Sequence, residues 1–142
     1  MATGTFGNDT VYIHKLGSNY DLDSSYSYSN SAVMDYPIGM DEMDQIFEYS
    51  SDYQAAFVVS GTLGNDLVIF GLNNSNSVVA IASVSTPSQP RTAKVFGDKI
   101  AVAHRLGGVS VYEYSALTTL TELDNIPYAT LGVQCGVGVY TP

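Results

Sequence analysis

The stretch from Lys99 to Ser115, KIAVAHRLGGVSVYEYS, decides the fold class of this chain. It contains two apolar, β-prone runs that are joined by Gly107 and Gly108. A glycine pair supplies the positive φ angles that a tight two-residue hairpin turn requires. The sequence therefore predicts an antiparallel hairpin here, with at least one of the two glycines at positive φ.

The predicted turn also determines which side chains share a face of the hairpin. A two-residue turn at the glycines pairs Leu106 with Val109, and side chains alternate between the two faces along each strand. Both faces are then largely apolar, so we expect this sheet to be covered on both sides by other sheets or by a partner subunit. One face carries Ile100, Val102, Leu106, Val109 and Val111, and the other carries Ala101, Ala103, Tyr112 and Tyr114.

Similar strand-like runs recur along the chain. Four of them, each entered through small or turn-forming residues, are DTVYIHKL (9–16), DLVIFGL (66–72), GVSVYEY (108–114) and CGVGVYTP (135–142). Further runs follow the first three, namely YDLDSSYSYS (20–29), SVVAIASV (77–84) and LTTLTEL (117–123), and others precede the middle two, namely QAAFVVSG (54–61) and KIAVAHRL (99–106). The repeating unit is a meander of three or four short strands, with a period of about 40 residues.

The stretch SVVAIASVSTPSQPRTAKVFGDKIAVAHRLGGVSVYEYS (77–115) resembles degenerate β-propeller repeats of the WD40-like and LVIVD-like kind. The resemblance covers residues 54–128 and rests on turn spacing, since the Gly-His and Trp-Asp signatures are absent. It implies an all-β, antiparallel meander of about three propeller-like blades in one domain over residues 1–142. It also implies a blade shared by the two termini, from strands near Thr10–His14 and Gly136–Tyr140. The alternative architecture is a β-sandwich or jelly roll.

One acidic segment departs from the strand pattern. In GMDEMDQIFEYSSD (39–52), apolar residues at helical spacing follow Asp41, which is placed to cap a helix. We expect an acidic helix over 41–50, or an acidic loop, as an insertion around residues 35–53. Its carboxylates lack the ligand order of a calcium loop, so they indicate a solvated surface rather than a metal site. These acids are Asp35, Asp41, Glu42, Asp44, Glu48 and Asp52.

The formal net charge of −9 is concentrated in the N-terminal part of the chain. Residues 1–90 contain ten acids and one base, Lys15, whereas residues 91–142 contain four acids and four bases. Nucleic acid is disfavoured as a partner, because phosphate binding relies on Lys and Arg, of which the chain has five. No stretch approaches the roughly 20 apolar residues of a membrane span, and the N terminus lacks the pattern of a classical secretion signal.

The sequence contains no motif that indicates catalysis or cofactor binding. A phosphate loop, a dinucleotide fingerprint and a Gly-x-Ser-x-Gly elbow are all absent. Cys135 could be paired with His14 or His104 as nucleophile and base, but each histidine lies inside a strand-like run, where a structural role is expected. We therefore expect a protein that is not an enzyme and that uses no cofactor or metal.

A group of tyrosines among Ser, Asn and Asp is the candidate interaction surface. Rigid amphipathic rings beside small polar groups are typical of surfaces that bind proteins or sugars, although the strand propensity of tyrosine explains the same pattern equally well. The members of this group are Tyr20, Tyr26, Tyr28, Tyr36, Tyr49 and Tyr53.

Together these features predict a structural or interaction module that forms a homo-oligomer or docks on a larger assembly. The composition is similar to that of bacteriophage virion accessory proteins, such as capsid decoration or tail-surface modules. The alternative function is a carbohydrate-binding, lectin-like module that uses the tyrosines to bind a glycan, and a hydrolase is a third.

Overall fold

A computed structural model describes residues 2–5, 9–30, 37–43, 50–61, 66–116, 119–132 and 136–140. These residues form strands and one short helix, and every strand pair is antiparallel. The predicted all-β fold is therefore confirmed. The elements are β1 (Ala2–Thr5), β2 (Thr10–Leu16), β3 (Leu22–Ser29), β4 (Pro37–Glu42), β5 (Tyr53–Gly61), β6 (Asp66–Asn73), β7 (Val78–Ser85), β8 (Pro90–Phe96), β9 (Lys99–His104), β10 (Gly108–Ala116), β11 (Thr119–Ile126) and α1 (Tyr128–Leu131).

The strands form three sheets, and within each sheet every strand pairs with its neighbour in sequence. The first sheet contains β1 to β3, the middle sheet β4 to β7, and the third sheet β8 to β11. Each sheet is thus an uninterrupted meander, which is the arrangement that the repeating runs predict. Nearly all of those runs coincide with strands, because β-branched and aromatic residues favour a pleated, half-buried surface.

The hairpin of β9 and β10 differs from its prediction in register. The two strands are joined by the three residues 105–107, and Gly108 pairs with His104. Only Gly108 of the glycine pair has a positive φ, at 81°. The prediction of a positive φ is confirmed, but the predicted faces are wrong, because a one-residue change in loop length moves every side chain of one strand to the other face.

The observed register sorts the hairpin into a core face and an outer face. Ile100 and Val102 lie on the core face with Tyr112 and Tyr114, and all four are buried against the middle sheet. The other face carries the residues opposite to these, Ala101, Ala103, Val109 and Val111.

Gly108 has a second reason to be glycine. A Cβ atom at this position would collide with the carbonyl oxygen of Ile126 in β11. Glycine therefore permits both the positive φ of the turn and the close approach of the neighbouring chain.

The middle sheet is covered on both faces. Phe57, Val59 and Phe70 pack with Val11 and Ile13 of the first sheet. The side chains at the intervening positions of the same strands, such as Val58 and Ile69, point to the opposite face and pack against the third sheet. Because strand side chains alternate, one apolar run in β5 and one in β6 supply both layers of core.

The first strands of the middle and third sheets approach each other closely. A Cβ atom on Gly39 in β4 would lie 2.7 Å from the Cα atom of Thr92 in β8. Nearby, the Asp41 carboxylate accepts hydrogen bonds from the Val95 backbone N–H (2.8 Å) and from the Lys94 ammonium (3.1 Å). Neighbouring sheets approach more closely through their first strands than through their last strands, so the stack is narrower on one side.

The structure corrects the prediction of an insertion at 35–53. Residues Pro37–Glu42 form β4, the first strand of the middle sheet, so Asp41 does not cap a helix. The strand-like runs of the sequence do not reveal β1, β4 and β8, the first strands of the three sheets, and both β4 and β8 begin with a proline that suggests a turn. Proline is tolerated at the first residue of an edge strand, where no ladder hydrogen bond is lost. Residues 44–49 of the predicted helix lie outside the described part.

The C-terminal segment also differs from its prediction. The strand expected near Gly136–Tyr140 is absent, since the described residues 136–140 form no strand, and the chain after β11 forms the four-residue helix α1. The predicted terminal blade is therefore wrong at its C-terminal half. Gly136 and Gly138 explain this outcome, since glycine weakens a strand by its conformational freedom and lack of a side chain.

Candidate interaction surfaces

The side of the third sheet that faces away from the middle sheet carries mostly apolar residues. Val109 and Val111 are half-buried and belong to neither core cluster, and Ile126 beside them is 46% exposed. A shallow cleft of about 60 Å³ runs between these residues and Asp124. We call this the third-sheet face, defined by Val109, Val111 and Ile126, with Ala101 and Ala103 buried beside them.

The corresponding side of the first sheet is polar. Tyr12 and His14 of β2 lie opposite Ser27 and Ser25 of β3, and both serines are exposed. His14 Nδ1 lies 2.8 Å from Ser25 Oγ, and the His14 ring is nearly parallel to that of Tyr12, with centroids 6.1 Å apart. We call this the first-sheet face, defined by Tyr12, His14, Ser25 and Ser27.

A partly buried polar network, centred on the buried His104 and Ser110, connects the strands of the third sheet. The Ser110 hydroxyl donates to Glu122 Oε1 (2.9 Å) and accepts from Asn125 Nδ2 (2.7 Å). His104, which is fully buried, places Nε2 3.0 Å from the same hydroxyl and Nδ1 3.2 Å from the Ser88 carbonyl oxygen. The network thus connects β9, β10, β11 and the loop before β8.

Burial changes the pKa of His104 in this network and of Tyr112, two residues from Ser110 in β10. Desolvation lowers the pKa of His104, so the neutral imidazole is favoured, although the Ser88 carbonyl and Glu122 act in the opposite direction. Desolvation also raises the pKa of Tyr112 to about 12, and the nearby Glu122 charge adds to this effect. Ser110 lies between His104 and the acid, whereas a serine nucleophile needs the histidine in that middle position. The network therefore has the chemistry of a structural cross-link.

The described tyrosines of the candidate surface do not form one surface. Tyr20 is 86% exposed in the turn between β2 and β3. Tyr26 and Tyr28 are half-buried against the core between the first and middle sheets, and the Tyr28 ring lies 5.1 Å from that of Phe70. Tyr53 packs beside Gly71 and Ile81 on the opposite face of the middle sheet. Tyr36 and Tyr49 lie outside the described residues.

The clefts are small compared with the sites that usually bind small molecules. A cleft of about 140 Å³ between the first and middle sheets has Ile13 and Phe57 in its wall and Lys15, Glu42 and Gln54 among its polar residues. Small-molecule sites usually occupy about 300 Å³ or more. The described ranges contain no group of three or more His, Cys, Asp or Glu side chains placed to hold a metal ion.

Of the predicted acidic cluster, Asp41 is bonded to β8, and Asp35, Asp44 and Glu48 lie outside the described residues. Within the part of the chain that is described, no helix is long and apolar enough to cross a membrane. His104 and His14 contact serines, and Cys135 lies outside the described residues, so the pairing of a thiol with either histidine stays a prediction.

No protein-family model matches the chain, and no curated protein shows significant similarity to it. The class of protein that the residues define is therefore an all-β stack of three antiparallel meanders, with one apolar and one polar outer face.

The sequence predicts which residues form the third-sheet face, but not the register in which β9 and β10 pair. The sequence pattern places its β9 and β10 residues on the faces of the hairpin, but the predicted two-residue turn pairs Val109 and Val111 with the wrong residues of β9. The side chains of His104 and Ser110 indicate the correct register. Two polar side chains that are buried in neighbouring strands stabilise the sheet only if they lie on the same face and can bond to each other.

Proposed function

We propose that this chain is a non-enzymatic interaction module, built of propeller-type blades, that assembles through the third-sheet face with itself or onto a larger assembly. The observation that carries the proposal is the contrast between the middle sheet and the third sheet. The middle sheet buries apolar residues on both faces, whereas the third sheet leaves Val109, Val111 and Ile126 partly exposed on one. Soluble proteins seldom leave a contiguous apolar patch without a partner.

The stacking geometry supports the blade interpretation. Each sheet is a meander, and neighbouring sheets are closest at their first strands, as blades are around a central axis. Three blades are fewer than the four to eight of usual closed propellers, so further sheets are needed to cover the outer faces. The similarity in composition to phage virion accessory modules supports a capsid or tail surface as the larger assembly.

Sedimentation velocity over a wide range of protein concentration tests the proposal. We expect the mass to exceed that of a monomer at high concentration, and Ile126→Asp to reduce it towards the monomer. Leu106→Asp is the matched control, because Leu106 is similarly exposed, at 56%, but lies in the loop before Gly108 and outside the third-sheet face. A monomer at every concentration would contradict self-assembly, and equal effects of the two variants would contradict assembly through this face.

Glycan binding is a second candidate function, and the first-sheet face favours it. The nearly parallel rings of Tyr12 and His14 lie beside the exposed residues Ser25 and Ser27. None of these four side chains has a carboxylate, ammonium or guanidinium group. Aromatic rings with small hydroxyl groups suit a neutral sugar. Binding on a glycan panel that is lost in Tyr12→Ala and kept in Tyr20→Ala would support it, and an absence of binding by the unmodified protein would contradict it.

A further inference from the structure

The third-sheet face is narrow, because it occupies only β10 and β11. The two alanines of β9 are buried within the chain, and the Lys94 ammonium on β8 is bonded to Asp41. The residues that remain partly exposed are Val109, Val111 and Ile126, around the cleft of about 60 Å³. A face of this width suits one extended segment better than a second sheet, which packs across several strands at once.

A segment with matching chemistry follows α1. Residues 136–140, GVGVY, pair with no strand in the described part of the chain, and Val139 and Tyr140 are 39% and 87% exposed. A Cβ atom on Gly136 or Gly138 would have no neighbour within 4 Å, and neither glycine has a positive φ. Every other glycine whose surroundings the structure describes has a close neighbour or a positive φ. The fold of the single chain therefore gives no reason for glycine at these two positions. We call residues 136–140 the C-terminal segment.

We infer that the C-terminal segment of a second copy lies along the third-sheet face, and that two copies exchange these segments reciprocally. The inference rests on the proposed function and names the part of the partner that this face binds. Each copy has one face and one segment, so a two-fold axis satisfies both pairs at once and the assembly closes as a dimer.

The spacing of the valines supports this pairing. In an extended segment alternate side chains share a side, so Val137 and Val139 form one row, and the two glycines leave the backbone between them free of side chains on the other side. Two residues of an extended chain span about 6.6 Å, which is also the separation expected for Val109 and Val111 along β10. The two rows therefore match in length and in apolar character, and glycine at alternate positions permits a close approach of another backbone.

The charge distribution favours this segment over other parts of a second copy. The exposed Asp124 lies beside the third-sheet face, and residues 1–90 of each copy contain ten acids and one base, so contact with the N-terminal part would add repulsion. Residues 125–142 contain no Asp, Glu, Lys or Arg. In the single chain both apolar surfaces remain exposed, with Ile126 at 46% and Val139 at 39%. Their contact in a dimer removes both from water without burying a charge.

Sedimentation of Val139→Asp tests whether the C-terminal segment takes part in assembly. We expect its dissociation constant to rise about tenfold or more above that of the unmodified protein, because a carboxylate replaces an apolar side chain that the dimer buries. Leu16→Asp is the matched control, since Leu16 is similarly exposed, at 41%, but lies at the end of β2. An equal rise in both variants, or no rise in Val139→Asp while Ile126→Asp dissociates, would overturn the inference and leave the proposed function standing.

Cross-linking between differently substituted copies tests where the segment binds. Val139→Cys and Val111→Cys are each made in a Cys135→Ser background, mixed, and treated with a short bismaleimide. We expect a cross-linked dimer in the mixture and its loss when either variant is treated alone, because the introduced thiol then lies opposite a valine. Ser27→Cys, on the first-sheet face, is the control that should form no dimer with Val139→Cys.

A variant that carries both Val111→Cys and Val139→Cys distinguishes exchange from binding within one chain. Exchange gives cross-linked dimers, whereas a cross-link confined to the monomer would show that each segment covers its own face, and would overturn the inference. Cross-linking of Val111→Cys with itself as efficiently as in the mixture would show that the two faces meet directly, which would overturn the inference while assembly through the third-sheet face stands. Assembly without any cross-link in the mixture would overturn it too. A monomer at every concentration would contradict self-assembly, and the inference with it.

Discussion

The first and third sheets are the two ends of one stack, and they differ most on the sides that face away from it. Both are antiparallel meanders, and both bury their inner faces against the middle sheet. The outer face of the first sheet carries Tyr, His and Ser, whereas that of the third sheet carries Ala, Val and Ile. The meander therefore determines the architecture, while the residues that point away from the core determine which outer face is apolar and which is polar.

The turns of the two sheets also differ in the type of residue that adopts a positive φ. In the third sheet the positive φ of 81° belongs to Gly108, whereas in the first sheet a positive φ of 63° belongs to Tyr20, a bulky residue for which this conformation is strained. We therefore expect that substitution of Gly108 destabilises the third sheet, and that substitution of Tyr20 by glycine stabilises the first sheet.

The largest expected effect is that of Gly108→Val. It combines left-handed backbone strain with the collision at Ile126, so we expect a loss of about 2–5 kcal/mol in the free energy of unfolding. Gly97→Val is the matched control, since Gly97 also has a positive φ of 63° but no atom near a Cβ position. That variant should lose only about 1–2 kcal/mol. Urea unfolding of both variants measures the difference, and equal losses would show that the collision is relieved at no cost.

A smaller effect concerns His104 and pH. Its folded pKa lies below the usual 6.5 because of burial, so between these two values the unfolded chain binds a proton that the folded chain does not. Stability should therefore fall as the pH drops below 6.5, and be fully regained above it. Thermal unfolding measured across this window, well above the ordinary pKa of 3.8 of the Asp98 carboxyl, reports this dependence.

The variant His104→Gln provides the control for that measurement. Without a titrating group at this position, the dependence on pH in the window should flatten. At neutral pH the variant should lose about 1–3 kcal/mol, because one of the two acceptors, Ser110 Oγ or the Ser88 carbonyl oxygen, loses the N–H that the neutral imidazole donates. An unchanged pH profile would show that another group causes the dependence.

The smallest expected effect is that of Tyr20→Gly in the first sheet. Relief of strain contributes about 1–2 kcal/mol, and the greater freedom of glycine in the unfolded chain offsets about 0.5–1 kcal/mol of it. We therefore expect a stabilisation of up to about 1.5 kcal/mol, measured as a rise in melting temperature. Tyr20→Phe keeps the strain and should melt like the unmodified protein. A lower melting temperature for Tyr20→Gly would mean that the exposed ring makes stabilising contacts.

Much of the fold could be predicted from the sequence, because strands of this protein are built from β-branched and aromatic residues between turn-forming ones. The run DLVIFGL became β6, and the hairpin of residues 99–115 became β9 and β10. The first strands of the three sheets could not be predicted: β1 has only four residues, and β4 and β8 begin with proline. Their stability comes from long-range pairing and from the bond between Asp41 and Val95, which no local pattern reveals.

The candidate surface was harder to predict than the fold. Which residues share a face depends on a single residue of loop length, and Gly107-Gly108 permits two registers that differ by that much. The tyrosines show the opposite limit. Composition marks Tyr26 and Tyr28 as exposed recognition residues, but their alternation with serines in β3 turns both rings inward towards Phe70.

The most direct test of the contrast between the two outer faces is sedimentation equilibrium of a matched pair of variants. Val111→Asp and Ser27→Asp each add one carboxylate to the outer face of a terminal sheet, the first on the third-sheet face and the second on the first-sheet face. If the third-sheet face mediates self-assembly, then at a concentration where the unmodified protein self-associates, Val111→Asp should sediment as a folded monomer, with its fold checked by circular dichroism, and Ser27→Asp should remain associated. Dissociation by Ser27→Asp, or a dimer that persists in folded Val111→Asp, would contradict the account.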